Sequence, residues 1–236
     1  MTEHTVKQYD EELDGIRTRV LQMGGFVEQQ VVQAMDGLFD GDLATVEHVI
    51  DNDHKINELQ VELDESCTQI IARRQPAAND LRTIMSVSRV VTDLERIGDE
   101  AKKIAKAARS LLSNEHAGPP RVQMKHLARQ AVDALRKALD ALARLDVDAA
   151  AEVVKDDHEL DAEFKAVMRQ LITFMMEDPR TISRGIDVVF AAKALERIGD
   201  HSKNIAEHTI FLVRGRDVRY IGVNEVLKEV GYRPPV

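Results

Sequence analysis

The segment Leu94-Glu95-Arg96-Ile97-Gly98-Asp99 recurs letter for letter as Leu195-Glu196-Arg197-Ile198-Gly199-Asp200. A chain holding one helical hexamer twice is constrained to fold as two related units. Looser echoes extend the repeat. Ala34-Met35-Asp36-Gly37-Leu38 resembles Ala138-Leu139-Asp140-Ala141-Leu142, Val49-Ile50 resembles Val153-Val154, and Asp53-His54 returns as Asp157-His158. The spacing between copies shifts by a few residues near the turns at Pro76 and Pro179.

Apolar residues recur every three or four positions almost throughout, the period of a helix with one buried face, and no stretch alternates as a strand does. Leu13, Ile16, Val20, Met23, Val27, Val31, Ala34 and Leu38 mark the first helix, which Gly41 ends. Asp42 is suited to cap a second helix that runs to about Arg74, where Gln75-Pro76 stops it. A third helix is predicted over about residues 78–112. Asn114 to Pro120 cannot continue it, because Gly118-Pro119-Pro120 removes donors and fixes the backbone away from a helix. The pattern then restarts, with helices over about residues 121–145, 148–176 and 179–212, the last opened by Asp178-Pro179 as N-cap and first-turn proline. A short helix near residues 224–230 closes a mixed tail. The expected fold class is all-α: a tandem repeat of two antiparallel three-helix bundles with six long helices. The expected divisions are residues 1–115, 116–216 and a tail of 217–236.

Composition narrows the function. A net charge of −9 argues against general nucleic-acid binding, and 4% aromatics without Trp leaves little to stack on bases. Cys67 stands alone, which excludes an internal disulfide and fits a reducing compartment. The polar, acidic opening MTEHTVKQYDEELDG does not read as a signal peptide, and no apolar run is long enough for membrane insertion. A soluble, cytoplasmic protein is expected. Phosphate-binding glycine loops, Glu-x-x-His pairs and recognisable nucleophile contexts are missing, so nothing in the sequence requires catalysis.

The chemistry that remains lies in carboxylates. With Leu94 at the centre of the third helix's apolar stripe, Glu95 and Asp99 fall at about 100° and 140°, on an accessible flank. Gly98 falls at about 40°, on the core face, where a missing side chain lets a neighbouring helix come close. Like charges at i and i+4 destabilise a helix by roughly 0.2–0.5 kcal/mol, and an interior glycine costs about 1 kcal/mol more. A cation between the carboxylates would turn repulsion into coordination, since hard metals are held by clustered oxygens. The competing reading is a solvated face neutralised by Lys102 and Lys203. On the second helix, Asp53 falls within the seam Leu43, Val46, Ile50, Ile56, Leu63, Cys67, Ile71, and Asp157 does the same among Val153, Val154, Leu160, Phe164 and Val167. A carboxylate facing a core must be paired with a cation or bind a metal. Asn57 and Asp161 follow one turn later, so each half can pair its second-helix oxygens with the Glu-x-x-x-Asp of its third. An Asp–Lys or Asp–Arg pair between helices is the alternative. His54 and His158 border the seam as further possible ligands, with capping or surface roles the commoner use of a lone His. Met175-Met176 reads as core filler and the Arg214, Arg216, Arg219 cluster as a solvated basic patch.

Together with the doubled hexamer, the turns ARRQPAANDLR (residues 72–82) and MMEDPRTISR (175–184) and the tail LVRGRDVRYIG (212–222) make the chain similar to the PhoU family of bacterial phosphate-transport accessory proteins. The resemblance covers nearly the whole sequence. It implies a cytoplasmic homodimer that is not an enzyme and acts as a negative regulator of the phosphate-starvation response and of phosphate uptake. The implied partners are the ATPase subunit of the phosphate ABC transporter and the sensor histidine kinase of a two-component system. Some members of the family bind metals through Glu/Asp-x-x-x-Asp motifs. These map here to Glu95 and Asp99, Glu196 and Asp200, and Asp157 and Asp161, with Asp53 standing before Asn57, where a second acid would be expected. The implied cofactors are divalent or ferric ions: iron, manganese, magnesium or zinc. The alternative is a metal-storing or metal-dependent helical bundle without a signalling partner.

Overall fold

A computed structural model describes residues 7–113 and 124–232. Its long helices are α1 (Lys7–Asp40), α2 (Leu43–Arg74), α3 (Asn79–Leu112), α4 (Lys125–Arg144), α5 (Val147–Glu177) and α6 (Ile182–Arg214); a short α7 (Val223–Val230) follows. No strand occurs among the described residues. The expected boundary near residue 115, the Gly118-Pro119-Pro120 break and the first residues of the fourth predicted helix lie outside the described residues.

The turns repeat as the helices do. Gly41 (φ 73°) ends α1 in the left-handed region, and Leu145 (φ 54°) does the same after α4. Each is followed by an aspartate. Asp42 accepts hydrogen bonds from the N–H groups of Ala44 and Thr45, and Asp146 from those of Asp148 and Ala149. Both side chains satisfy donors that a helix start otherwise leaves open. The second of these caps places the start of α5 at Val147, slightly before the predicted start. Asp178 does not open α6 directly. It caps a single 3-10 turn, Pro179–Thr181, and α6 begins after it.

In each half the third helix is the central one. α1 and α2 pack on α3, α4 and α5 pack on α6, and α3 and α6 share the most extensive contact in the molecule. The core therefore continues across both repeats through Leu94, Ile97 and Ile104 on α3 and Leu195, Ile198 and Ile205 on α6, all essentially without exposure. Gly98 and Gly199 sit where α2 and α5 come closest. A Cβ at Gly98 would lie 2.5 Å from Cδ1 of Ile56, and one at Gly199 would lie 2.7 Å from Cδ1 of Leu160. The glycine that weakens each helix locally is what allows a repeat-equivalent Ile or Leu to seat against its backbone.

Two expectations are corrected. Leu43 and Ile71 are exposed, while Val49 and Ile70 are buried. In a helix as long as α2 an apolar stripe drifts around the axis, and adjacent apolar pairs such as Val49-Ile50 do not reveal which member faces inward. Met175 packs against the core and touches Gly185, but Met176 is exposed. Arg214 and Arg216 of the tail are exposed, as a solvated patch requires, while Arg219 pairs with Asp217, Arg216 with Glu229, and Arg214 donates to the carbonyl of Val230. The Arg216 and Arg214 bonds reach the end of α7, which rests on α5 with Val226 and Val230 buried.

Candidate functional site

The carboxylates singled out above lie on α2 and α3 in the first repeat and on α5 and α6 in the second. In the first repeat Asp53 on α2 is buried, and its Oδ2 accepts from Nζ of Lys102 on α3 at 2.6 Å. In the second, Asp157 on α5 accepts from Nζ of Lys203 on α6 at 2.8 Å. The lysines therefore neutralise the second-helix acids across the helix pair, in place of the Asp99 and Asp200 that precede them by one turn. Salt bridges this enclosed are needed to keep a carboxylate charged inside a bundle.

Glu95 and Glu196 are less accessible than the helical wheel suggests, with side chains only 20% and 13% exposed. The close approach of α2 and α5 at the two glycines covers this flank. Glu95 lies beside Arg96, and both carboxylate oxygens of Glu196 accept from Nζ of Lys193. Burial, followed by the negative charges of Asp99 and Asp53, raises the Glu95 carboxyl above its ordinary range. Asp200 is exposed at the surface, yet its carboxyl too is raised, by partial desolvation and then by the negative charges of Glu196, Asp157 and Asp161. Each repeat thus concentrates negative charge between its second and third helices, beyond what the resident lysine offsets. Asn57 is exposed, and the first repeat carries one acid fewer than the second.

These side chains offer a set of oxygen donors, the chemistry that hard cations prefer. Among the described residues, no three Asp, Glu, His or Cys side chains converge closely enough to hold an ion as they stand. The donor types fit a hard cation in kind, and Lys102 and Lys203 are the cations that meet Asp53 and Asp157 here. His54 and His158 do not join the sets. Nδ1 of each hydrogen-bonds within its own helix, to the carbonyl oxygens of Asp51 and Lys155, and both residues are exposed.

A second polar centre has no counterpart in the repeat and was not anticipated. Asp93 is buried on α3 against α6, where it accepts from Nδ1 of His201 at 2.8 Å and from Nδ2 of Asn204 at 3.0 Å, while Nε2 of His208 lies 3.2 Å from its other oxygen. Burial pushes its carboxyl up, but the bonds from His201, His208 and Asn204 outweigh that and hold it below the ordinary range. The equivalent residue in the second copy is Ala194, so a search for repeated acids passes over Asp93. The available signal was His201, Asn204 and His208 at i, i+3 and i+7, one polar line on an otherwise apolar helix face. Buried Glu100 pairs with Lys103 of its own helix and, across the same seam, with Arg197.

Both repeats match the model of the PhoU domain, over residues 20–108 and 124–209. The chain belongs to the PhoU family. It is 46% identical, over 98% of its length and 95% of the relative's, to the phosphate-specific transport system accessory protein PhoU homolog of Pseudomonas aeruginosa. The Escherichia coli phosphate-specific transport system accessory protein PhoU is 41% identical, over 97% and 94% of the two chains. The crystal structure of PhoU from Pseudomonas aeruginosa superposes with a TM-score of 0.85 at 46% identity, covering 88% of this chain and all (100%) of the other. That of the phosphate transport system regulatory protein PhoU from Streptococcus pneumoniae gives 0.82 at 27% identity, over 89% and 99%. The family's fold is thus the duplicated bundle described here. No helix among the described residues is long and apolar enough to cross a membrane.

Proposed function

We propose that this protein is a non-enzymatic accessory regulator of a phosphate transport system, which restrains phosphate uptake and the phosphate-starvation response. The observation that carries this reading is the near-full-length identity to proteins named as phosphate-specific transport system accessory proteins. In this role it works in the cytoplasm as a homodimer. It joins the ATPase subunit of the phosphate ABC transporter to the sensor histidine kinase of the phosphate two-component system.

The surface suits docking. Ile182, Ile186 and Phe190 are exposed in an i, i+4, i+8 line on α6, and Leu81 and Met85 are exposed at the equivalent first-repeat positions on α3. Exposed apolar stripes on rigid helices are a common form of protein-binding surface. The acid sets are the regulator's metal sites: Glu95, Asp99 and Asp53 in the first repeat, and Glu196, Asp200, Asp157 and Asp161 in the second. A bound cation supplies charge neutralisation and a cross-link between α2 and α3 or between α5 and α6. The protein's own contribution is to hold these oxygens on two rigid helices while Lys102 and Lys203 fill the space otherwise. Fixing the helix pairs shapes the faces that partners meet.

Deleting the protein from its host should raise phosphate-responsive transcription in cells grown with abundant phosphate. Unchanged transcription under that condition would contradict the regulatory reading.

A further inference from the structure

Along the α3–α6 seam the two repeats have diverged at one pair of equivalent places. At one end Asp93 of α3 meets His208 of α6, and the tail adds Arg219 and Tyr220. At the other end the positions equivalent to Asp93 and His208 are Ala194 and Ala107. A groove of about 460 Å3 opens there, walled by Lys103 and Lys106 of α3 and by Phe190, Lys193 and Arg197 of α6. Phe190 is 61% exposed and continues the line of Ile182 and Ile186 into the groove.

The charges of the groove are weighed with their partners. Lys103 and Arg197 share the carboxylate of Glu100, at 2.8 and 3.4 Å, Lys193 meets Glu196, and Asp187 accepts from Ser110. Lys106 is exposed and has no ion pair among the described residues. Four cations therefore face three acids. Their placement matters more than their number. The side chains of Lys103, Lys193 and Arg197 are about half exposed, whereas those of Glu100 and Glu196 are largely covered. An ammonium carries three N–H donors and a guanidinium five, so Lys103 and Arg197 keep donors that Glu100 does not use. An approaching group meets the cations first.

The surroundings narrow the class of anion. Free phosphate would use the lysines and leave the ring of Phe190 idle. Nucleic acid is held by long basic tracts, and this is one short groove on a chain of net charge −9. A protein segment with carboxylates beside an apolar side chain uses both features, charge for steering and the apolar group as anchor. We infer that this groove takes an acidic segment of a partner protein, its carboxylates meeting Lys103, Lys106 and Arg197 and an apolar side chain packing on Phe190. The equivalent end offers Asp93 and Glu207 in place of Ala194 and Lys106, so the segment is received in one orientation on an otherwise duplicated bundle. The inference deepens the docking reading of the exposed stripe and rests on it for the identity of the partner.

Fluorescence anisotropy of the full-length protein with a labelled amphipathic peptide of Glu, Leu and Ala tests it, beside the same peptide with every Glu replaced by Gln. The wild type should bind the Glu peptide saturably, about tenfold tighter than the Gln peptide, and the difference should shrink as salt is raised. Lys106→Glu should erase the preference. Phe190→Ser should weaken both peptides at least about threefold, and Lys228→Glu, on the exposed face of α7, should change neither. Absence of saturable binding, equal affinity for the two peptides, or a preference that survives Lys106→Glu would overturn the assignment. So would displacement of the peptide by inorganic phosphate or by single-stranded DNA at equal concentration. A wild-type dimer that Phe190→Ser or Lys106→Glu dissociates in sedimentation would give the groove to a second copy instead. Transcription in the deletion strain reads the regulatory role separately: derepression there with no peptide binding refutes the groove alone, and peptide binding without derepression refutes the role alone.

Discussion

Replacing Asp93 by alanine is expected to destabilise the protein by roughly 3 kcal/mol. Three donors converge on this carboxylate, from His201, Asn204 and His208. His208 is only 5% exposed, so solvent cannot replace the lost acceptor. The substitution removes a charge-assisted network and leaves polar groups stranded in the α3–α6 seam that joins the two repeats. Chemical denaturation near neutral pH should show the midpoint falling. The pH dependence has a definite sign. The folded carboxyl lies below its ordinary range, so the stabilisation is present above the unfolded value and is lost as pH falls through the folded one. The gap between wild type and Asp93→Ala should therefore narrow in acid. An equal gap at all pH values would mean that Asp93 acts through packing alone.

Glu207→Gln should do the opposite and stabilise the protein at alkaline pH. Glu207 is 6% exposed, and its carboxyl is raised to about 7, chiefly by burial, with Lys203 and Arg219 lowering it only in part. A raised carboxyl means that the fold favours the protonated form. That contribution is fully present below the unfolded value of 4.5 and is lost as pH rises through about 7. The difference is on the order of 3 kcal/mol when converted through proton linkage. At pH 5 the variant and the wild type should melt at similar temperatures. At pH 8 the variant should melt several degrees higher, about what a few kcal/mol gives in a protein of this size. A variant no more stable than wild type at pH 8 would show that Glu207 is charged and accommodated.

The fold was readable because its determinants are periodic and doubled. The apolar period set six long helices, Gly41 and Pro76 set two of the turns, and the repeated hexamer set the internal symmetry. The two glycines pointed to close helix approach, and Ile56 and Leu160 provide it. What escaped depends on three-dimensional placement. The sequence places Asp53 and Asp157 in a seam but leaves open whether a metal or a lysine meets them. That depends on which way Lys102 and Lys203 reach, and both reach across to the second helix. Asp93 escaped because its importance comes from the α3–α6 contact between repeats, where the two copies have diverged, and Glu207 because the charges around it come from α5, α6 and the tail. Helical periodicity within one element does not report on such a seam.

The central claim is that acids recurring in both bundles, only partly offset by lysine, form cation sites. It is tested most directly by elemental analysis of the protein purified from its host, beside the Asp99→Ala plus Asp200→Ala double variant and a Ser86→Ala control. The account predicts stoichiometric iron, manganese, magnesium or zinc in the wild type and the control, and its loss in a double variant that stays helical. Metal content unchanged in the double variant, or none in the wild type, would contradict it.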